Sequence, residues 1–333
     1  DRGHHVDQRR VVAGVHDRAV QPEIGLLLGL GVALIAAGLA ASSFLSFSPR
    51  LPLDIKDTTW TMQDENATAQ ELSAEGVSQY EGPMTYQLNL DIQDPADKET
   101  ATLRVGESAI RGGTGNVEDL SFARVWNYPV DRLSGEATGP AALSHTMGSP
   151  TAEVPVEGYW LKLPADAEQT TYPVFDPVLR KAADAVFEES LEIDGRTVYR
   201  YHQEIEPTNV ATLYAGNTTT TLSNEDGSTE QGYLFHAATR DLFVGQATGL
   251  VVGMDVDIKD YWADREGNER EVQFAFTGAT DEQSRAELLH QAERFPRSAV
   301  GQWVRWGGVG VGAVLVLLGA LGAFRRPTNR HSR

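Results

Sequence analysis

The chain contains no cysteine. That absence excludes disulfides, zinc–thiolate centres, thiol catalysis and cysteine-linked lipid anchors, so the fold must be held by packing alone. Positive charge is scarce too. Of 333 residues, 47 are Asp or Glu against 28 Lys or Arg, a formal net charge of −19. Residues 24–296 hold 43 acids and only 18 bases, whereas residues 297–333 carry 6 arginines and no acid. So acidic a segment repels a phosphate backbone, which excludes nucleic acid as a partner. Excess acid of this kind ordinarily marks a solvated, non-aggregating surface.

Long apolar runs are missing between residues 48 and 305, but one lies on either side, at 24–47 and 306–324. Each is about as long as the ~20 residues an α-helix needs to cross a ~30 Å hydrocarbon core. The pattern predicts two transmembrane helices, at 24–47 and 303–324, around one large extracytoplasmic domain at 48–298. Arg325, Arg326, Arg330 and Arg333 crowd the far side of the second run. The positive-inside rule then places the basic tail, 325–333, and the N-terminus in the cytoplasm, giving a two-pass plasma-membrane topology. Trp303 and Trp306 fit an aromatic belt at the outer interface. A cleaved signal peptide is the rival reading of the first run, with Ala40-Ala41-Ser42-Ser43 as small residues after it. The uncharged stretch 24–41 exceeds a signal h-region, which favours an uncleaved anchor. Residues 1–23 lack any apolar period and read as a cytoplasmic or mis-assigned extension, with a natural start near Val20.

Small residues recur every fourth position in both runs: Gly25, Gly29, Ala33 and Ala37 in the first, Gly308 and Gly312 in the second. Such ladders allow close helix approach, which predicts pairing of the spans or homo-oligomerisation through them, with the lipid bilayer as solvent.

Between the runs the pattern is mostly of period two. Residues 86–92, 159–163 and 272–276 alternate apolar and polar as half-buried strands do. Asp194-Gly195, the pair favoured in type I′ turns, divides two strand-like runs and predicts a hairpin. Residues 241–244, 250–258 and 272–276, with turns at 246–249 and 265–268, predict a meander. Two helices are expected. Asp176-Pro177 opens one over 176–189, and Thr280 or Asp281 caps another over 280–295, a stalk leading to the second span. Segments 109–116, 134–155 and 217–229 read as loops. The fold class is therefore α+β, with a β-rich, mainly antiparallel domain between two helical spans. A short echo relates residues 123–135 to 239–249, each ending in a glycine.

Chemical motifs are sparse. Asp255 and Asp257 share a strand face, with Asp260, Asp264 and Glu266 nearby, and could ligate a hard cation, although solvent-facing acids explain them as well. His145, His202, His236 and His290 stand singly, without the HxH or HExxH spacing of a metal site. There is neither a G-x-S-x-G elbow nor a complete phosphate loop. No catalytic, metal or cofactor residues are assigned. The aromatic runs at Tyr159-Trp160, Tyr172 and Phe175, Tyr199 and Tyr201, and Tyr261-Trp262 suit a sheet core, or alternatively a groove for an acyl chain. Asn66 and Asn217 open glycosylation triplets of the kind that also arise by chance.

The order of several segments carries a resemblance. Pro49-Arg-Leu-Pro-Leu-Asp-Ile-Lys-Asp57, Ala123-Arg-Val-Trp126, Leu161-Lys-Leu-Pro164, Tyr172-Pro-Val-Phe-Asp-Pro177, Ile193-Asp-Gly-Arg-Thr-Val-Tyr-Arg-Tyr201 and Ala247-Thr-Gly249 follow one another between the two apolar runs. In this the chain resembles the actinobacterial PorA porin family. The resemblance implies a cell-envelope protein, named for a channel-forming member of a mycolic-acid-containing wall, acting in channel formation or envelope transport, and it brings no catalytic residues. The alternative is a non-enzymatic binding module for a lipid or an envelope protein.

Overall fold

In a computed structural model of the chain, the described residues are 26, 28–37, 49–55, 58–73, 76–112, 119–145, 150–293, 295 and 299–324. They fall into two units, residues 1–47 with 298–333, and Ser48–Arg297.

The larger unit is one antiparallel sheet of 13 strands. In chain order they are β1 (Thr58–Ser73), β2 (Gly76–Ala96), β3 (Thr100–Arg111), β4 (Leu120–Asp131), β5 (Ala141–Ser144), β6 (Ala152–Val154), β7 (Tyr172–Asp176), β8 (Lys181–Ile193), β9 (Arg196–Asn209), β10 (Thr219–Ser223), β11 (Thr229–Gly245), β12 (Val251–Ala263) and β13 (Glu269–Ala279). The lateral order is β6-β5-β4-β3-β2-β1-β13-β12-β11-β9-β8-β7, with β10 beside β11. The meander β11-β12-β13 follows the sequence pattern. So does the β8–β9 hairpin, where Ile193 pairs with Arg196 and both turn residues, Asp194 and Gly195, take positive φ.

Alternation buries one face of this sheet. Leu103 and Val105 on β3, Trp126, Tyr128 and Val130 on β4, Met254, Val256 and Ile258 on β12, and Phe274 and Phe276 on β13 all point inward. The sheet rolls up until its two ends meet. Trp126 on β4 and Phe175 on β7 lie far apart in the lateral order, yet their rings are 5.7 Å apart, with Trp160 packed edge-on to both. Segment 156–163 closes this seam. Ala137 bridges to Val130 of β4 and donates its N–H to the Gly158 carbonyl, while Tyr159 pairs with β7 through Tyr159 N–H to Pro173 O and Phe175 N–H to Tyr159 O. Two residues on, Leu163 N–H donates to Gly249 O and Val251 N–H to Leu161 O, so the same segment is tied to the start of β12.

Several sequence expectations are corrected here. Residues 176–189 form no helix. Asp176 caps a turn, its Oδ1 accepting from Val178 N–H and Leu179 N–H, and 181–193 are drawn into strand β8 by pairing with β7 and β9. Tertiary pairing overrides an alanine-rich local preference. Residues 159–163 are the seam segment rather than a sheet strand. The expected loops at 134–155 and 217–229 contain β5, β6 and β10. The expected helix near 280–295 is present as α2 (Glu282–Glu293), with Asp281 accepting from Ser284 N–H as its N-cap. It is not a stalk: Leu288 and Leu289 are buried, and Thr58 donates from Oγ1 to Gln291 Oε1.

In the smaller unit, helix α1 is described at 26 and 28–37, and α3 spans Ala299–Phe324, its side chains described from Trp306 to Leu321. A Cβ on Gly31 would lie 2.7 Å from Val316 Cγ2 and 2.8 Å from Gly312 O, so the helices meet at their glycines. Among the described residues no helix is long and apolar enough to cross a membrane. This corrects the expected fold class: what stands is the antiparallel β-rich sheet, without two membrane-spanning helices flanking it. The two-pass plasma-membrane location rested on those helices, and it is corrected with them.

Candidate functional site

Six polar side chains occupy inward positions of the rolled sheet, in phase with its apolar core. Glu107 follows Leu103 and Val105 on β3, Gln203 follows Tyr201 on β9, His236 and Arg240 flank Ala238 on β11, and Asp260 follows Val256 and Ile258 on β12. Asp176 at the end of β7 completes the set. A buried charge is tolerated only when it is paired and hydrogen-bonded, and all of these groups but Glu107 pair with one another.

His236, with no exposed surface, lies between two carboxylates, Nδ1 2.5 Å from Asp260 Oδ1 and Nε2 3.3 Å from Asp176 Oδ2. Arg240 brings Nη2 to 2.6 Å from the same Asp176 oxygen and donates from Nη1 to Gln203 Oε1. Gln203 in turn donates to the carbonyls of Val174 and Ala183. One network thus joins β7, β8, β9, β11 and β12. Burial alone would push the His236 pKa down, but the two carboxylates outweigh it and lift it to about 9. Burial pulls Asp176 upward, yet His236 and Arg240 hold it well below the usual carboxylate range. The Asp176 carboxylate therefore faces two cations, His236 and Arg240.

A second cluster surrounds Glu107. Its carboxylate accepts from Tyr86 Oη at 2.9 Å and Trp126 Nε1 at 3.3 Å, with Arg124 Nη1 at 3.4 Å. Burial and then the Glu107 charge push the Tyr86 hydroxyl well above its ordinary pKa. Lys162, in the seam segment, is 1% exposed and donates to the Leu133 and Leu163 carbonyls. Burial brings its pKa down to about 7.

Among the described residues, the cavity beside Arg240 is small. The cavity beside Arg240, lined by Tyr86, Trp160, Phe175 and Met254 among others, measures about 20 Å³, room for about one water molecule.

The sequence-predicted acids separate by strand parity. Asp255 and Asp257 share an outer-face groove with His202 and Asp241, while Asp260 is one residue out of phase and points inward. Asp264 accepts from Glu266 and Asn268 backbone N–H groups and serves its turn. Glu188, His202 and Asp241 come close enough together to suggest a metal, but Arg200 lies among them, 2.9 Å from Glu188 and 3.3 Å from Asp241. A guanidinium already supplies the positive charge there. The aromatic runs mainly form the core: Trp160, Phe175, Tyr172 and Tyr201 are buried and pack edge to face. Of the glycine ladder, Gly312 lies against Gly31, a residue outside the predicted set; Gly29 has nothing within 4 Å, and Gly25 lies outside the described residues. Asp176 entered the sequence reading only as a helix cap, and Arg240, Glu107 and Lys162 were given no role there, although Glu107 and Arg240 signal themselves as charged residues in phase with apolar neighbours.

The sequence profile of porin PorA matches residues 25–321. The chain belongs to the PorA porin family. A porin PorA of Corynebacterium amycolatum is 26% identical over 187 residues, which is 54% of this chain and 48% of that protein. The match thus spans about half the length of that relative. Family membership and the β-rich fold agree with the resemblance carried by the ordered segments. In this PorA-family chain the charged interior is an internal brace, because the members of the His236 network are paired with one another and with backbone groups of neighbouring strands and turns.

Proposed function

We propose that this PorA-family chain is a non-enzymatic channel protein whose water-filled path forms between copies. The reading rests on the family match over residues 25–321. One observation shapes it: the interior of the rolled sheet is packed with aromatic and paired charged side chains, leaving about 20 Å³ beside Arg240. A conducting lumen needs a polar, hydrated wall. The concave face of this sheet is tightly packed and its charged groups are paired within it, so the path is assigned to surfaces that a single copy leaves open. The acidic outer surface favours cations on such a path.

The test is conductance. Purified full-length protein added to planar bilayers should give discrete steps, and cross-linked material enriched in oligomers should give them at lower total concentration. Absence of steps despite verified incorporation overturns the reading.

A further inference from the structure

One side of strand β10 is left unused by the fold. β11 takes β12 along one edge and, along the other, β9 and then β10; among the described residues β10 pairs with β11 and with no further strand. The ladder shows which groups of β10 remain free. Leu234 N–H donates to Thr218 O, and Asn224 N–H donates to Ser228 O. In an antiparallel pair, hydrogen-bonded positions alternate with unbonded ones. Residues 218, 220, 222 and 224 therefore bond to β11, and Thr219, Thr221 and Ser223 turn their N–H and C=O groups to the far edge. Ser223 O is occupied there, accepting from Arg270 Nη2. Among the described residues the backbone N–H and C=O of Thr219 and Thr221 have no partner. Both threonines are exposed, and they border an open groove with Thr220, Thr229, Glu230 and Gln231.

This edge lacks the usual protection. Edge strands are blunted by charged side chains, proline or bulges, whereas β10 reads Thr-Thr-Thr-Leu-Ser in unbroken register with β11. Residues 207–224 contain no Asp, Glu, Lys or Arg, in a chain of net charge −19. Two copies of so acidic a chain repel over most of their surface, and this neutral stretch is where they can approach. Glu225 and Asp226 follow at the end of the β10–β11 hairpin. Antiparallel pairing of two copies sends those acidic ends in opposite directions.

We infer that two copies of the chain join edge to edge through β10, antiparallel about a two-fold axis at Thr220, with Thr219 of each copy opposite Thr221 of the other. That register uses the free N–H and C=O of both threonines in both copies, and it sets threonine against threonine on the exposed face. The sheet of one copy then continues through β10 into the sheet of the next. The inference rests on the reading that copies assemble, and it names the surface by which they do.

The chain has no cysteine, so single introduced thiols report the register. Full-length protein carrying Thr219→Cys is mixed with protein carrying Thr221→Cys and oxidised with copper phenanthroline. Hydrogen-bonded partners in an antiparallel pair lie about 5.5 Å apart at Cα, within disulfide reach. The mixture should therefore give disulfide-linked dimer at least about fivefold faster than either protein alone. Thr221→Lys, which charges the edge without touching a bond to β11, should weaken self-association in sedimentation by about tenfold, and Thr229→Lys on β11 should leave it unchanged. Equal cross-linking rates in all three samples, or wild-type association of Thr221→Lys, overturns the pairing. Conductance separates this result from the channel reading. Register-specific dimer without conductance steps defeats that reading and leaves the pairing standing, whereas steps that persist in Thr221→Lys, with equal cross-linking rates, defeat the pairing alone.

Discussion

His236 Nδ1 lies 2.5 Å from Asp260 Oδ1, and both side chains are sealed inside the rolled sheet. With Asp176 on the opposite ring nitrogen and Arg240 behind it, this contact ties the last strand of the lateral order to its middle. Apart from the Glu107 cluster and Lys162, the described interior around it is mainly apolar, so the network decides which strands may meet as much as how firmly they are held.

Removal of one member should therefore cost more than removal of a matched pair. Asp176→Asn leaves Arg240 and His236 without their shared anion and should destabilise by about 3–5 kcal/mol, as for other broken buried ion pairs. Arg240→Met alone should cost a similar amount, and the double variant less than the sum of the two. Urea unfolding of the three proteins measures the coupling. Additive effects would show that the pair does not act as a unit.

Two buried bases should titrate stability in opposite senses. His236 is raised from 6.5 to about 9, so its contribution is complete below pH 6.5 and is lost as pH rises to about 9, amounting to about 3 kcal/mol. Lys162 is lowered from 10.5 to about 7, so the folded state binds fewer protons than the unfolded one between those values and stability rises with pH across them. Between pH 7 and 9 the two slopes oppose each other. Urea unfolding of Lys162→Met should reveal the falling slope, and that of His236→Gln the rising one. A flat profile in Lys162→Met would mean that His236 is not held as a cation.

Glycines around the seam should differ sharply in tolerance. Gly135 and Gly249, the closing residues of the two echoing segments, both take positive φ, and a Cβ on either would run into Lys162 or Leu163 of the seam segment. Gly195 also has positive φ, but nothing lies within 4 Å of its Cβ position. Gly195→Ala should cost only the backbone preference, about 1 kcal/mol. Gly249→Ala must in addition push the seam away from β12 and should cost well over twice that. Thermal melts of the variants provide the comparison, and equal losses would contradict the packing.

In the smaller unit, Gly31→Ile should separate α1 from α3, because Val316 and the Gly312 carbonyl already fill the space. Gly29→Ile should be tolerated within one copy, since that position is open. Hydrogen exchange over 306–321 should accelerate in the first variant and stay unchanged in the second.

Much of the sheet was legible because its strands alternate cleanly and its turns carry Asp-Gly or glycine at left-handed positions. Residues 176–189 misled because a short Asp-Pro start and several alanines imitate a helix, while the pairing that makes them a strand comes from β7 and β9. The polar network was half legible. Glu107, His236 and Asp260 are recognisable as polar residues in core phase, but no local pattern says that a turn residue, Asp176, would reach His236 across 60 positions of sequence. Closure of the sheet by residues 156–163 was hidden for the same reason: its bonds run to Ala137, Pro173 and Gly249, each remote in the chain. The apolar runs at 24–47 and 306–324 were plain in the sequence, but among the described residues no helix is long and apolar enough to make the crossings they suggested.

Single-channel recording of the wild-type chain beside Met254→Ala and Trp160→Ala tests most directly whether ions pass between copies. Both substitutions enlarge the space inside the rolled sheet, where Met254 and Trp160 line the residual cavity. A path between copies predicts discrete steps of the same size in all three proteins. Steps that grow with the enlarged interior would contradict it, as would the absence of steps in the wild-type chain.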